Sequence, residues 1–182
     1  MSYLHIDEFS AEHFTDFDGS QVVVSESFVM FWKPPNTFGQ WTLSPFEIDG
    51  IKYNCAEQYM MSEKARLFND ASVERAILAT PSPREQQKLG KRVSGFVNDV
   101  WEKERCEIVF RGNIAKFSQN ADLLKQLLET EERSMVEASP IDRIWGIGLA
   151  ADDERAYDPI RWRGQNLLGN VLTRVRAHLR QN

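Results

Sequence analysis

The chain of 182 residues reads as α+β: a single compact, predominantly helical domain with a small β element near its N-terminal third. Two observations predict this class. Runs rich in β-branched and aromatic residues, punctuated by Pro, Asn and Gly, are concentrated between about Val22 and Tyr53. From Asn54 onward the chain is divided mainly by helix start and stop signals and carries apolar stripes at helical spacing. A hydrophobic fraction of 42%, with 11 Phe and 5 Trp, supplies the core of a globular protein.

Residues 1–20 are polar with scattered charge and are expected to form an N-terminal extension, with 21–182 as the domain proper. Val22–Trp32 predicts one long or two short strands. Lys33–Trp41, with paired prolines, is a loop that brings a cation and aromatics together. Phe46–Tyr53 predicts a hairpin turning at Asp49-Gly50. A helix then begins at Asn54, with Glu57 three residues later as in a capping box. Glu57 therefore has two readings: a helix cap, or a carboxylate held rigidly at the mouth of a pocket.

Asn69-Asp70 starts a short helix through Ala79, and Ser82-Pro83-Arg84-Glu85 opens another that Gly90 caps. Asn98-Asp99 caps a long helix from Val100 to Phe117, which Gly112 weakens, and Asn120 caps a further one. Ser134–Pro140 reads as a short strand and Ile144–Gly148 as a second strand or a tight loop. Its glycines let the backbone approach something closely. Asn166 introduces the last helix, whose Leu168, Val171, Leu172 and Val175 form a buried stripe.

The chemistry available is narrow. Cys55 and Cys106 have no metal-ligand spacing and read as reduced thiols, and neither a metal nor a cofactor is implied. His5, His13 and His178 lie towards the ends and read as surface residues, so no Ser/His/Asp set arises. With 22 basic and 27 acidic residues, the net charge of −5 argues against wholesale duplex binding through phosphates. No apolar run reaches the roughly 20 residues of a membrane span, and no signal peptide is evident, so a cytoplasmic protein is expected. Carboxylates and tryptophans remain as the material for catalysis.

Taken in order, Phe31-Trp32-Lys33, Phe38-Gly39-Gln40-Trp41, Tyr53-Asn54-Cys55-Ala56-Glu57-Gln58-Tyr59, Val136 through Gly146 and Gly164-Gln165-Asn166-Leu167-Leu168-Gly169 resemble the NADAR (NAD- and ADP-ribose-associated) family over roughly residues 28–180. The resemblance implies an N-glycosidase domain over 21–182. It implies hydrolysis of the bond between C1′ of a ribose and a base, on ribosylamino-pyrimidine phosphates of riboflavin biosynthesis or on ADP-ribosylated guanine in DNA. The partner is then a ribosyl phosphate or ADP-ribose small molecule, with ADP-ribosylated single-stranded DNA as a further substrate and no membrane.

By the same resemblance Glu57, Lys33 and Asp142 are the catalytic candidates, and Gly39, Gln40, Trp41, Trp145, Gly146 and Asn166 are candidates for substrate binding, which Trp101 joins as a further face for stacking a base. Glu57 would stabilise positive charge on the departing ribose or activate water. Lys33 could instead attack C1′ of the opened sugar, provided that burial or a neighbouring cation lowers its pKa. Tryptophan faces offer stacking worth about 1–3 kcal/mol per base. The sequence departs from the family where Gly39-Gln40-Trp41 replaces the common Ser-Asn-Phe and Gln58 replaces the usual His, which bears on substrate preference. Arg84, Lys88, Arg92 or the pair Arg161 and Arg163 would meet phosphate. The competing reading is a non-catalytic module that binds NAD or ADP-ribose through the same aromatic pocket.

Overall fold

The computed structural model describes residues 3–5 and 21–181. Helix outweighs strand among them, and the α+β class holds. Their contacts divide them into two units, one running through Gly39 and resuming at Leu123, the other spanning Gln40–Asp122.

In the first unit, β1 (Tyr3–His5), β2 (Val22–Val24), β3 (Phe28–Phe31) and β6 (Ser134–Glu137) form a sheet in the order β1-β2-β3-β6. The two short strands expected in Val22–Trp32 are β2 and β3, antiparallel across a turn in which Ser25 Oγ accepts the Phe28 N–H at 3.0 Å. The short strand expected in Ser134–Pro140 is present as well. Ser134–Glu137 joins β3 in parallel, with Val29 opposite Met135, and Tyr3–His5 pairs in parallel with β2. A parallel partner cannot follow through a tight turn, so it comes from a distant part of the chain. The remainder of the expected extension, 1–2 and 6–20, lies outside the described residues.

Val23, Met30 and Val136 of this sheet bury against Ala138, Ile147, Leu149, Ala151 and Ala156. Helix α6 (Leu167–Leu179) packs on β6. Its buried Arg176 donates to Thr130 Oγ1 at 2.7 Å and to the Arg133 carbonyl at 2.8 Å. These bonds tie the helix to the turn that feeds β6.

In the second unit, β4 (Phe46–Ile48) and β5 (Ile51–Tyr53) make the predicted hairpin, with Asp49 and Gly50 at φ 51° and 77°. Helices α1 (Ala56–Leu67), α2 (Ala71–Leu78), α3 (Pro83–Gly90) and α4 (Asn98–Ser118) follow, and α1 packs against the other three. Helix α5 (Ala121–Leu128) comes next in the chain. Gly112 does not interrupt α4. A Cβ there would collide with Tyr59 Cδ1, so the glycine lets α4 approach α1 closely. Asp70 caps α2 as expected, accepting the Val73 N–H at 3.1 Å.

Several boundaries differ from expectation. Helix α1 begins at Ala56 rather than Asn54, with Cys55 as its extended N-cap. Helix α4 begins at Asn98, after Val97, so Asn98 and Asp99 lie inside its first turn. Gly90 is the last helical residue of α3 and not a residue beyond it. Ile144–Gly148, by contrast, is the loop of the two forms expected for it, and Gly148 has φ 68°.

Candidate active site

The start of α1 is held from several sides. The Asn54 N–H donates to Gln58 Oε1 at 2.7 Å, and Asn54 Nδ2 donates to the Pro81 carbonyl at 2.8 Å. Gln58 Nε2 in turn donates to the Ile77, Leu78 and Thr80 carbonyls at 3.1–3.3 Å. The reach back to Asn54 that a capping box would give Glu57 is thus made by Gln58. The residue that replaces the family's usual His ties α1 to the end of α2.

Glu57 stands in the first turn of α1 with 2% of its surface exposed, and its N–H donates to the Gln40 carbonyl at 3.0 Å. The helix dipole favours a negative charge at that position. Gln40, also buried, accepts at its Oε1 from Asn113 Nδ2 at 3.1 Å. Gln40 therefore meets Glu57 through its backbone and α4 through its side chain.

Lys116 lies three residues after Asn113, one turn further along α4, and is completely buried. Burial pulls its ammonium down to about 7, against a small opposing effect of Cys55. Burial pushes the Cys55 thiol up to about 11, and of the charges that act on it Glu57 raises and Lys116 lowers it. Cys55 Sγ is 3.3 Å from Gln86 Oε1. A carboxylate and an amine, both withdrawn from water, thus act on the same thiol.

Of the other candidates in this unit, Trp41 is half-buried and Trp101 is 8% exposed. In the first unit Lys33 is exposed, with its Nζ 4.4 Å from the Trp32 ring centroid. Gly39 donates its N–H to Asn36 Oδ1 at 2.9 Å. Asp142 Oδ1 accepts the Ile144 and Trp145 N–H groups, each at 2.8 Å, and so shapes the loop that carries the half-buried Trp145. A Cβ on Gly146 would come 2.8 Å from the Glu137 carbonyl, so the close approach there is made by the chain's own backbone. Asn166, buried at φ 52°, donates to the Met135 carbonyl and accepts the Glu137 N–H, each at 3.0 Å. Its amide pairs with the edge of β6 as a further strand would.

Lys116 is not among the residues that the sequence singles out. A lysine between Ala115 and Phe117 looks like one of many helical lysines, and the available signal is its place one turn from Asn113 in an otherwise apolar stretch.

The chain as a whole is similar to proteins already known. The chain is 43% identical to N-glycosidase R617 of Acanthamoeba polyphaga mimivirus, over 79% of this chain and 88% of that one. It is 35% identical to Protein irg-1 of Caenorhabditis elegans, over 88% and 85% of the two chains. It is 25% identical to N-glycosidase YbiA of Escherichia coli strain K12, over 87% and 92%. The NMR structure of E. coli YbiA superposes with a TM-score of 0.71 at 24% identity, covering 87% of this chain and 88% of that one, and shows the same fold. The class is that of hydrolases acting on N-glycosyl bonds. The chain belongs to the NADAR domain family, whose model matches residues 28–180. No helix among the described residues is long and apolar enough to cross a membrane.

Proposed function

We propose that this protein acts in the cytoplasm and hydrolyses the N-glycosidic bond at C1′ of a phosphorylated ribose. Its substrates are either ribosylamino-pyrimidine phosphates of the riboflavin pathway or guanine carrying ADP-ribose. The observation that carries this reading is Glu57, a buried carboxylate in the first turn of a helix whose start is braced by Gln40, Asn54 and Gln58. As the C1′–N bond breaks, its electron pair leaves with the base, which takes up a proton. Positive charge develops on C1′ and the ring oxygen. Glu57 stabilises that charge and accepts a proton from the water whose oxygen bonds to C1′. The low dielectric around a buried carboxylate makes the stabilisation stronger than it would be in water.

The amine route expected of Lys33 passes to Lys116 in this reading. Of the two conditions for that route, burial or a neighbouring cation, Lys116 meets the first and the exposed Lys33 does not. With its pKa drawn to about 7, a substantial share of Lys116 is neutral near neutral pH. A neutral amine can add to C1′ of a ring-opened N-riboside and expel the base amine with a proton. Water then hydrolyses the imine and restores both amine and aldehyde. Asp142 and Asn166 hold the Trp145 loop and β6 within their own unit, and Trp41, in the unit of Glu57, keeps a partly open face on which a base can stack.

The test is a side-by-side assay of an ADP-ribosylated guanine oligonucleotide and a ribosylamino-pyrimidine phosphate, with released base followed by chromatography. Release from one of them is expected. Binding of ADP-ribose with no release from either would favour the binding-module alternative and overturn the substrate assignment. Borohydride trapping of a sugar adduct that is lost in Lys116→Ala and kept in Lys33→Ala distinguishes the amine route from direct attack by water.

A further inference from the structure

Helix α1 carries a second charged residue on the face that begins with Glu57. Lys64 follows it by seven residues, two turns along the same side, and helical side chains lean towards the N-terminus. The side chain is half-buried. Its Nζ stands 4.3 Å from the Phe96 ring centroid and 5.5 Å from that of Trp101. Burial lowers its pKa, Glu57 acts to raise it, and Lys91 lowers it further. Lys64 is therefore within electrostatic reach of both.

Lys91 follows Gly90 directly at the end of α3. A Cβ on Gly90 would come 2.0 Å from Met61 Sδ, which lays the end of α3 against α1 about one turn before Lys64. The turn that presents Phe96 is pinned as well. The Asp70 carboxylate accepts the Ser94 N–H at 2.9 Å and the Ser94 hydroxyl at 2.8 Å. Phe96 meets Phe68 edge-on at 5.2 Å between centroids, yet 42% of it remains exposed. An open aromatic ring and two amines are thus held where the Glu57 face continues.

Glu57 and the two ring faces favour the Lys64 ammonium, but it has lost part of its hydration and Lys91 opposes it. An anion that accepts from both amines offsets the lost hydration and the mutual repulsion. Phosphate suits them, since its oxygens take charge-assisted hydrogen bonds and lysine binds it as a point charge. Of the cations expected from the sequence, Lys88 is engaged with Glu85 at 2.6 Å on the exposed side of α3, and Arg92 directly follows Lys91.

We propose that Lys64 and Lys91 form the subsite for the 5′-phosphate of the N-ribosyl substrate, alongside the open edge of Phe96. The proposal rests on Glu57 as the reaction centre. Lys64 takes the phosphate directly, and Lys91 adds a more solvated charge. Placing the phosphate there sets the ribose in register along α1, with C1′ towards Glu57.

Calorimetry with ribose 5-phosphate and with ribose as probes tests it. Wild-type protein should bind the phosphorylated sugar more tightly, and increasingly so at low salt. Lys64→Gln should weaken binding of ribose 5-phosphate about 10- to 100-fold, the loss expected for one hydrogen bond between charged groups, and leave ribose binding unchanged. Lys91→Gln should weaken it less, Lys64→Arg should restore most of it, and Lys103→Gln on the exposed side of α4 should bind as wild type. Equal binding of the two sugars by wild type, or undiminished binding of ribose 5-phosphate by a folded Lys64→Gln, would overturn the subsite. If Lys64→Gln fails to fold, Lys91→Gln, altered only at an exposed amine, decides in the same way. Full turnover in Glu57→Gln together with lost phosphate affinity in Lys64→Gln would reject the reaction centre and retain the subsite.

Discussion

Gln58 Oε1 accepts the Asn54 N–H at 2.7 Å while the same side chain's Nε2 donates to the carbonyls of Ile77, Leu78 and Thr80. One amide thereby closes the start of α1 and the end of α2. Gln58→Leu keeps the bulk and leaves these buried groups without partners. It should destabilise the fold by about 2–3 kcal/mol and lower Tm by about 5–10 °C in thermal denaturation. An unchanged Tm would mean that water replaces the amide at no cost.

Glu57→Gln removes a charge and preserves shape. With Asn54 and Gln58 still bracing the helix, the variant should fold as wild type. Its kcat should fall by about 10²- to 10⁴-fold, the range typical of a lost general acid or base, with KM little changed. Steady-state kinetics on whichever substrate releases base checks this, and full activity would remove Glu57 from the chemistry.

Asp142→Asn and Asp142→Ala separate position from charge. The carboxylate takes the Ile144 and Trp145 amides through one oxygen, an acceptor that asparagine retains. If Asp142 acts by shaping the loop, the Asp142→Asn enzyme keeps most of its kcat/KM and the Asp142→Ala enzyme loses it. Equal loss in both would point to a role for the charge itself.

Lys116 makes stability depend on pH. Its folded-state value of about 7 lies below the ordinary 10.5, so between those limits the unfolded chain binds the extra proton. Stability then rises with pH across that window. Below it the cost of burying the charged amine is fully present, and above it the cost is gone. Lys116→Met should flatten the profile and stabilise the protein most at about pH 6.5, as read by urea denaturation at about pH 6.5 and about pH 9.5. Parallel profiles for the two proteins would exclude the titration of Lys116.

Much of this molecule is written in short-range chemistry. Asp49-Gly50 supplies the positive φ values of a tight hairpin, Asp70 finds the Val73 amide three residues on, and Pro83 starts α3, all within a few residues of themselves. The leucine and valine stripe of α6 is readable for the same reason. Backbone dihedrals and helical periodicity need no knowledge of distant residues. The pairing of β3 with β6, the exchange of roles between Glu57 and Gln58, and the burial of Lys116 are different in kind. Each depends on segments far apart in sequence meeting in space: Val29 with Met135, Gln58 with Leu78, α4 with the Gln40 turn. The ease of withdrawing a charged amine from water is a property of its surroundings and not of the lysine. That is why tertiary packing alone could bring Lys116 into the company of Glu57.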